Sequence, residues 1–169
     1  MLFRSINSSL DLQFTLNVIL EQTKRLLGVD TIAILRYHER EGILEVAADR
    51  GFNHEGLGIT EIPTNDELIK RILNHPEILE KNELPAYEKT QLLEYLEANG
   101  FVGSHSVPLI INDEIKGILI IFHRQAYKAT QDWKNIFENI AAQTAIAIDH
   151  NELFIGLQSA NVNLVKAYD

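Results

Sequence analysis

SHSVPLIINDEIKGILIIFHR, residues 104–124, is the stretch from which the fold is read. Two short runs rich in β-branched residues, Ser104–Ile111 and Glu114–Arg124, flank Asn112-Asp113. Asn and Asp tolerate the positive φ that a two-residue hairpin turn demands, so the stretch predicts an antiparallel hairpin. Within its second half, Ile118-Leu119-Ile120-Ile121-Phe122 shows no polar alternation. A strand of that kind belongs in the middle of a sheet, covered on both faces. Pro108 cannot donate to a ladder and marks a bulge or an unpaired position in the first strand. His105 is in phase with Val107, Leu109 and Ile111, so it points into an apolar layer and needs a buried partner there.

Outward from this hairpin the chain alternates helix and strand. Thr31–His38 and Ile43–Arg50, separated by Glu39-Arg40-Glu41-Gly42, form an earlier hairpin. Ahead of it, Leu12, Leu16, Ile19, Leu20, Leu26 and Leu27 give one apolar stripe over a helix from Asp11 to Leu27, with Asp11 as N-cap and Gly28 as its stop. Leu2, Ile6 and Leu10 extend the same spacing upstream. Residues 51–103, between the hairpins, mix loop and helix. Thr64 and Glu67 form a capping box before Leu68, Ile69, Ile72 and Leu73, and His75-Pro76 ends that helix. A further helix runs from about Ala86 to Asn99, with Leu92, Leu93 and Leu96 inward and Gly100 as its stop. Residues 77–97 carry six glutamates against two lysines, which reads as a solvated face rather than a cation site.

A long helix leaves from about Gln131. Trp133, Phe137, Ile140, Ala141, Thr144 and Ile148 share one side of it, as in a helix lying on a sheet, with Trp133 as a packing anchor. Farther along, Ile146, His150, Leu153, Leu157, Ala160, Leu164 and Ala167 are spaced 4, 3, 4, 3, 4 and 3, a heptad seam. Such a seam needs a partner: a second copy of the chain or its own first helix. The pattern is still helical at Asp169, as in a module cut from a longer chain.

Composition narrows the chemistry. The 169 residues, 46% hydrophobic and 23% charged, suit one domain with its own core. The absence of cysteine excludes disulfides, thiolate metal sites and cysteine nucleophiles. Fifteen Lys+Arg against 24 Asp+Glu give a net charge of −9, which argues against nucleic acid and anionic membrane as partners. No apolar run approaches the roughly 20 residues of a membrane span, and MLFRSINSSL lacks a signal core, so a cytoplasmic location is expected. No GxSxG, P-loop or HExxH is present. Ser104, His105 and Ser106 alternate faces of a strand and cannot alone make a triad.

Helix, hairpin, helical insertion, hairpin and long exit helix, in that order, resemble the GAF domain over roughly residues 8–150. The strings that carry the likeness are SLDLQFTLNVILEQTKRLLGVDTIAILRY, residues 9–37, and SVPLIINDEIKGILIIFHR, residues 106–124, with Gly117 before the aliphatic run. The resemblance implies an α+β fold in α/β/α layers. A central antiparallel sheet carries the N- and C-terminal helices on one face and short helices and loops on the other. It also implies a pocket between the sheet and the middle helices. Mapped here, the candidate ligand-binding residues are Phe52, His54, Leu57, Asp66, Ile69, Leu73, Leu92, Phe101 and His105, under a lid containing Gly51, Gly56 and Gly58. The tail NELFIGLQSANVNLVKAYD, residues 151–169, resembles the connector from GAF domains into HD-GYP domains, which hydrolyse cyclic di-GMP; a histidine kinase is the competing output.

No cofactor is specified by these residues. The Asn-Lys, Phe, Asp-Glu signature of cyclic-nucleotide-binding members is missing, and the bilin-attaching and methionine-sulfoxide-reducing members need cysteine. His54, His75 and His105, with Asp66 or Tyr95, match no metal-ligand spacing. The expectation is therefore a non-catalytic sensory module. It would form a homodimer through its terminal helices along Ile146, His150, Leu153, Leu157, Ala160 and Leu164, with a small-molecule ligand still to be identified. A ligand-free spacer is the alternative. An enzyme would require an acid–base pair within hydrogen-bonding distance inside the pocket.

Overall fold

The first helix, α1 (Leu2–Leu27), delivers the chain to the sheet, and Gly28 ends it at φ 64°. Described by a computed structural model covering residues 2–52, 60–74, 77–80 and 91–168, the chain continues through β1 (Thr31–His38), β2 (Ile43–Arg50) and β3 (Glu61–Pro63). Then follow α2 (Glu67–Asn74), β4 (Glu77–Glu80), α3 (Gln91–Ala98), β5 (Gly103–Ile111), β6 (Glu114–His123) and α4 (Gln131–Tyr168). The strands form one six-stranded sheet in the order β3-β2-β1-β6-β5-β4, with every neighbouring pair antiparallel.

Both predicted hairpins are present. Asn112 and Asp113 take φ of 51° and 63° in the turn between β5 and β6, as their short polar side chains permit. β1 and β6, the two strands at the centre, pair from Thr31↔Phe122 to Arg36↔Gly117. A Cβ on Gly117 would collide with the Leu35 carbonyl, so only glycine allows this approach. Opposite Leu109 and Ile110 the register slips, because β6 carries Lys116 as one extra residue between Ile115 and Gly117. The bulge falls next to Pro108 rather than on it. Among the described residues β4 pairs with Gly103–Ser106, short of the position where proline lacks an N–H.

Strand alternation sorts the sheet's side chains into two layers. Ile32, Ile34, Val107, Leu109, Leu119 and Ile121 lie with Leu12, Leu16 and Leu20 of α1 and with Trp133, Phe137, Ile140, Ala141, Ala145 and Ile148 of α4. Ala33, Leu35, Ile118, Ile120 and Phe122 lie with Ile69 and Ile72 of α2 and Leu96 of α3. The terminal helices thus share one face and the short helices the other, as the resemblance implied. Trp133 is the expected anchor: its indole N–H donates to the Leu27 carbonyl at 3.1 Å, satisfying a carbonyl left over at the end of α1.

Two helix starts differ from expectation. Asp11 lies inside α1, where its carbonyl accepts from the Thr15 hydroxyl, because the upstream Leu2, Ile6 and Leu10 pattern is helical too. α2 is capped by Asp66, whose carboxylate accepts from the Ile69 N–H at 3.3 Å. The Thr64 hydroxyl is drawn instead to the Gly42 carbonyl at 2.8 Å, tying the end of β3 to the β1–β2 turn. α3 is described from Gln91; the first residues of the predicted 86–99 helix, with His75-Pro76, lie outside the described residues.

Candidate functional site

The face carrying α2 and α3 holds most of the expected pocket residues that can be placed. Phe52, just after β2, sits at its centre with Phe122 at 5.4 Å, Phe101 at 6.0 Å and Tyr95 at 6.4 Å between ring centroids. Phe101 is buried against Phe122, and Arg124 lies over its outer face at 4.4 Å. Ile69 is fully buried and Leu73 half-buried in the same layer. Each edge-on or tilted pair among the four rings adds about 0.5–1.5 kcal/mol beyond area burial.

Polar groups border this aromatic cluster. Asp49 is in register with Ala33, and Ser104 and Ser106 with Phe122 and Ile120, so all three belong to the α2/α3 layer. Both serines are buried. Burial raises the Tyr95 phenol above its ordinary pKa, with Asp49 adding to the rise and Arg124 opposing it. Asp49 and Arg124 were not foreseen from the sequence. Plain alternation phases Asp49 with Glu45 and Ala47; only the register slip opposite Ile34 and Leu35, which leaves Ala47 as an extra residue in β2, brings it to the Ala33 face.

Other expected site residues go elsewhere. Asp66 is occupied as the α2 cap. Leu92 lies on α3 with its side chain outside the described set, and His54 and Leu57, with Gly56 and Gly58 of the lid, lie outside the described residues altogether. His105 is on the opposite face from Phe52 and Ile69, because β5 alternation sends it with Val107 and Leu109 beneath α4. The partner it needed is the half-buried His123: Nδ1 of His105 and Nε2 of His123 are 2.6 Å apart. This is an acid–base pair at bonding distance, but it is roofed by Trp133, 4.9 Å from His105, and is not in the expected pocket. Among the described residues no group of three His, Cys, Asp or Glu could hold a metal ion.

A second arrangement lies where the middle of α4 is bonded to the sheet. The β6 bulge aims Lys116 toward α4, where its ammonium meets Glu152 at 2.9 Å, Asp149 at 3.2 Å and, on its own strand, Glu114 at 3.1 Å. Arg36 of β1 joins the same Glu152 at 3.2 Å. Burial works against the Lys116 charge, but Glu152, Glu114 and Asp149 outweigh it and hold the ammonium above its usual pKa. The cluster ties both central strands to one turn of one helix.

Around and beyond that clasp the seam residues are open to solvent. Leu153 is 58% and Leu157 64% exposed, and Ile146, His150 and Ala160 are exposed as well; the Leu164 side chain lies outside the described set. On α1, Leu10 and Phe14 are similarly uncovered, the latter 71% exposed. A groove of about 710 Å³ runs between the helices, lined by Leu12, Thr15, Ile19, Ile146, His150 and Phe154.

Against families of known proteins, the model described as GAF domain matches residues 11–148. The chain belongs to the GAF family. Its fold is shared with the GAF domain of an Acinetobacter phosphoenolpyruvate-protein phosphotransferase (18% identity, TM-score 0.70, 92% of this chain and 94% of that one). It is shared too with a GAF domain/HD domain protein of Geobacter sulfurreducens (13%, TM-score 0.72, 85% and 95%). A third likeness is to the phycoerythrobilin-bound GAF domain of a cyanobacterial phytochrome (21%, TM-score 0.66, 89% and 92%). At these identities the likeness is one of fold. No curated protein matches the chain. No described helix is long and apolar enough to cross a membrane.

Proposed function

We propose that this GAF domain is a non-catalytic sensory module that works as a homodimer and passes a conformational change along α4 to an output domain, such as a cyclic di-GMP phosphodiesterase or a histidine kinase. One observation carries the reading. α4 is a single helix from Gln131 to Tyr168 whose first part is buried on the sheet and whose later residues present an uncovered apolar seam. A shift in the sheet reaches that seam through the Arg36, Lys116, Asp149 and Glu152 clasp. A second copy, seated on Leu153 and Leu157 and on Phe14 of α1, covers the apolar surface and converts a shift into altered helix pairing. A ligand acts by binding one pairing state better than the other, and a few kcal/mol of difference suffices. Among the neighbours in fold, the Geobacter protein joins GAF to an HD domain and others come from sensor histidine kinases, so both outputs stay in view.

The ring cluster of Phe52, Tyr95, Phe101 and Phe122 favours a second reading, a ligand-free dimerising spacer. Native mass spectrometry of the freshly purified chain separates the two: a retained small-molecule mass supports sensing, and bare protein across metabolite screens supports the spacer. The dimer itself is tested by sedimentation of Leu153→Asp/Leu157→Asp, which is expected to convert a dimer to a folded monomer. An unaltered chain that is monomeric at high concentration defeats both readings.

A further inference from the structure

His105, buried in the layer beneath α4, and His123, half-buried beside it, form a pair that the sensory reading does not use. Their rings meet nearly at right angles, 4.8 Å between centroids, with the 2.6 Å nitrogen contact between them. Two neutral imidazoles can share one hydrogen bond, because one nitrogen donates and the other accepts. Two imidazolium rings cannot: both facing nitrogens then carry a proton, and two like charges stand in contact. The side chain covering the pair is Trp133, which packs on His105 and at the same time holds the Leu27 carbonyl through its indole N–H. Tyr127 stacks on His123 at 5.1 Å, its ring only 5° from parallel.

Burial and the nearest cation favour neutral rings. Lys134 of α4 adds a positive charge that acts on His105. Tyr127, in the segment after β6, contributes a phenol. From β4, Ile78 is in register with His105, and Glu80 is in register with Gly103, which pairs with His123 on its other side. Arg124 is turned away to the Asn99 carbonyl and the face of Phe101. Burial, then His123, then Lys134 push the His105 pKa down to about 4, and burial lowers that of His123. Histidines in water take up protons near 6.5, so acidification favours any arrangement in which these rings reach solvent. Room for that lies alongside: a cavity of about 370 Å³ lined by Gly28, Asp30, His123, Arg124 and Tyr127.

We propose that the His105–His123 pair is a proton-operated joint: on acidification the rings separate, Trp133 gives up the Leu27 carbonyl, and the first turns of α4 loosen from the end of α1 while the sheet stays folded. The joint requires neither a pocket ligand nor a second copy, so it stands or falls apart from the sensory reading.

Trp133 is the chain's single tryptophan, so its indole N–H gives one resonance. The test is hydrogen exchange of that N–H in the full chain, normalised to free indole, from pH 7 to pH 4. Protection is expected to fall at least about tenfold for one unit of titration, while β5 and β6 amides stay protected. The fall is expected to vanish in His105→Phe and His123→Phe and to persist in Glu80→Gln. A flat profile in the unaltered chain, loss of β5 and β6 protection at the same pH, a fall that survives either phenylalanine variant, or one abolished by Glu80→Gln each overturns the joint. Should a phenylalanine variant fail to fold, imidazole nitrogen shifts of the unaltered chain decide. Rings neutral at pH 6.5 that protonate in step with indole release support the proposal; rings that titrate at about 6.5 with the indole still held defeat it.

Discussion

The two faces of the sheet are roofed by unequal helices. Beneath α1 and α4 the layer is mostly aliphatic, roofed by helices of 26 and 38 residues and pinned at its ends by Trp133 and by the Lys116 clasp. Beneath α2 and α3, helices of 8 residues each cover a cluster of aromatic rings bordered by Asp49, Ser104 and Ser106. Long helices joined side by side make a surface that moves as a unit. Short helices joined by loops make one that yields locally. The sensory reading proposed above draws on that inequality, with a yielding face to receive a signal and a stiff one to pass it on.

The comparison breaks most readily at two aromatic residues. Trp133→Ala and Phe101→Ala are each expected to cost about 3–5 kcal/mol in urea denaturation. The difference lies in where hydrogen exchange rises: throughout α1 and α4 for the first, in α2 and α3 alone for the second. Uniform rises in both variants would make the two layers one cooperative unit.

Acid sharpens the contrast next. Because the folded His105 pKa lies near 4 against about 6.5 unfolded, the unfolded chain binds more protons below pH 6.5. The stability involved is fully present above that pH and drains as pH falls toward 4, by on the order of 3 kcal/mol, with His123 acting in the same direction. Urea titrations of the unaltered chain and of His105→Phe at several pH values measure the gap. A smaller effect, about 1–3 kcal/mol, is expected for Lys116→Met, which leaves Asp149 without its buried cation; exchange is expected to rise after residue 145 of α4 and not at Trp133. Least of all, Asp66→Ala removes the α2 cap for about 1 kcal/mol and is expected to leave the terminal helices untouched by the same measurement.

Periodicity made the elements legible, since apolar spacing is a local property. The stripe from Leu12 to Leu27, the turn at Asn112-Asp113 and the uninterrupted Ile118–Phe122 run each announced what the structure contains. The misreadings came from contacts between distant residues. Thr64 and Asp66 are both good caps, and what separated them was the Gly42 carbonyl, which belongs to another turn. His105 was correctly read as needing a buried partner, but the partner and the face depended on one extra residue at Lys116. Without that bulge, counting back from the turn puts His123 out of phase with His105; with it, they fall on the same face. The same bulge re-aims Lys116 and creates the clasp, which no local pattern encodes.

The uninterrupted course of α4 has a mechanical consequence. Glu152 makes its last described bond to the sheet, and the helix continues to Tyr168. At a rise of about 1.5 Å per residue the remainder reaches roughly 24 Å, so a tilt of about 5° at the base displaces the tip by about 2 Å. Motions too small to disturb the packed interior are therefore magnified to the size of a side-chain contact at the far end.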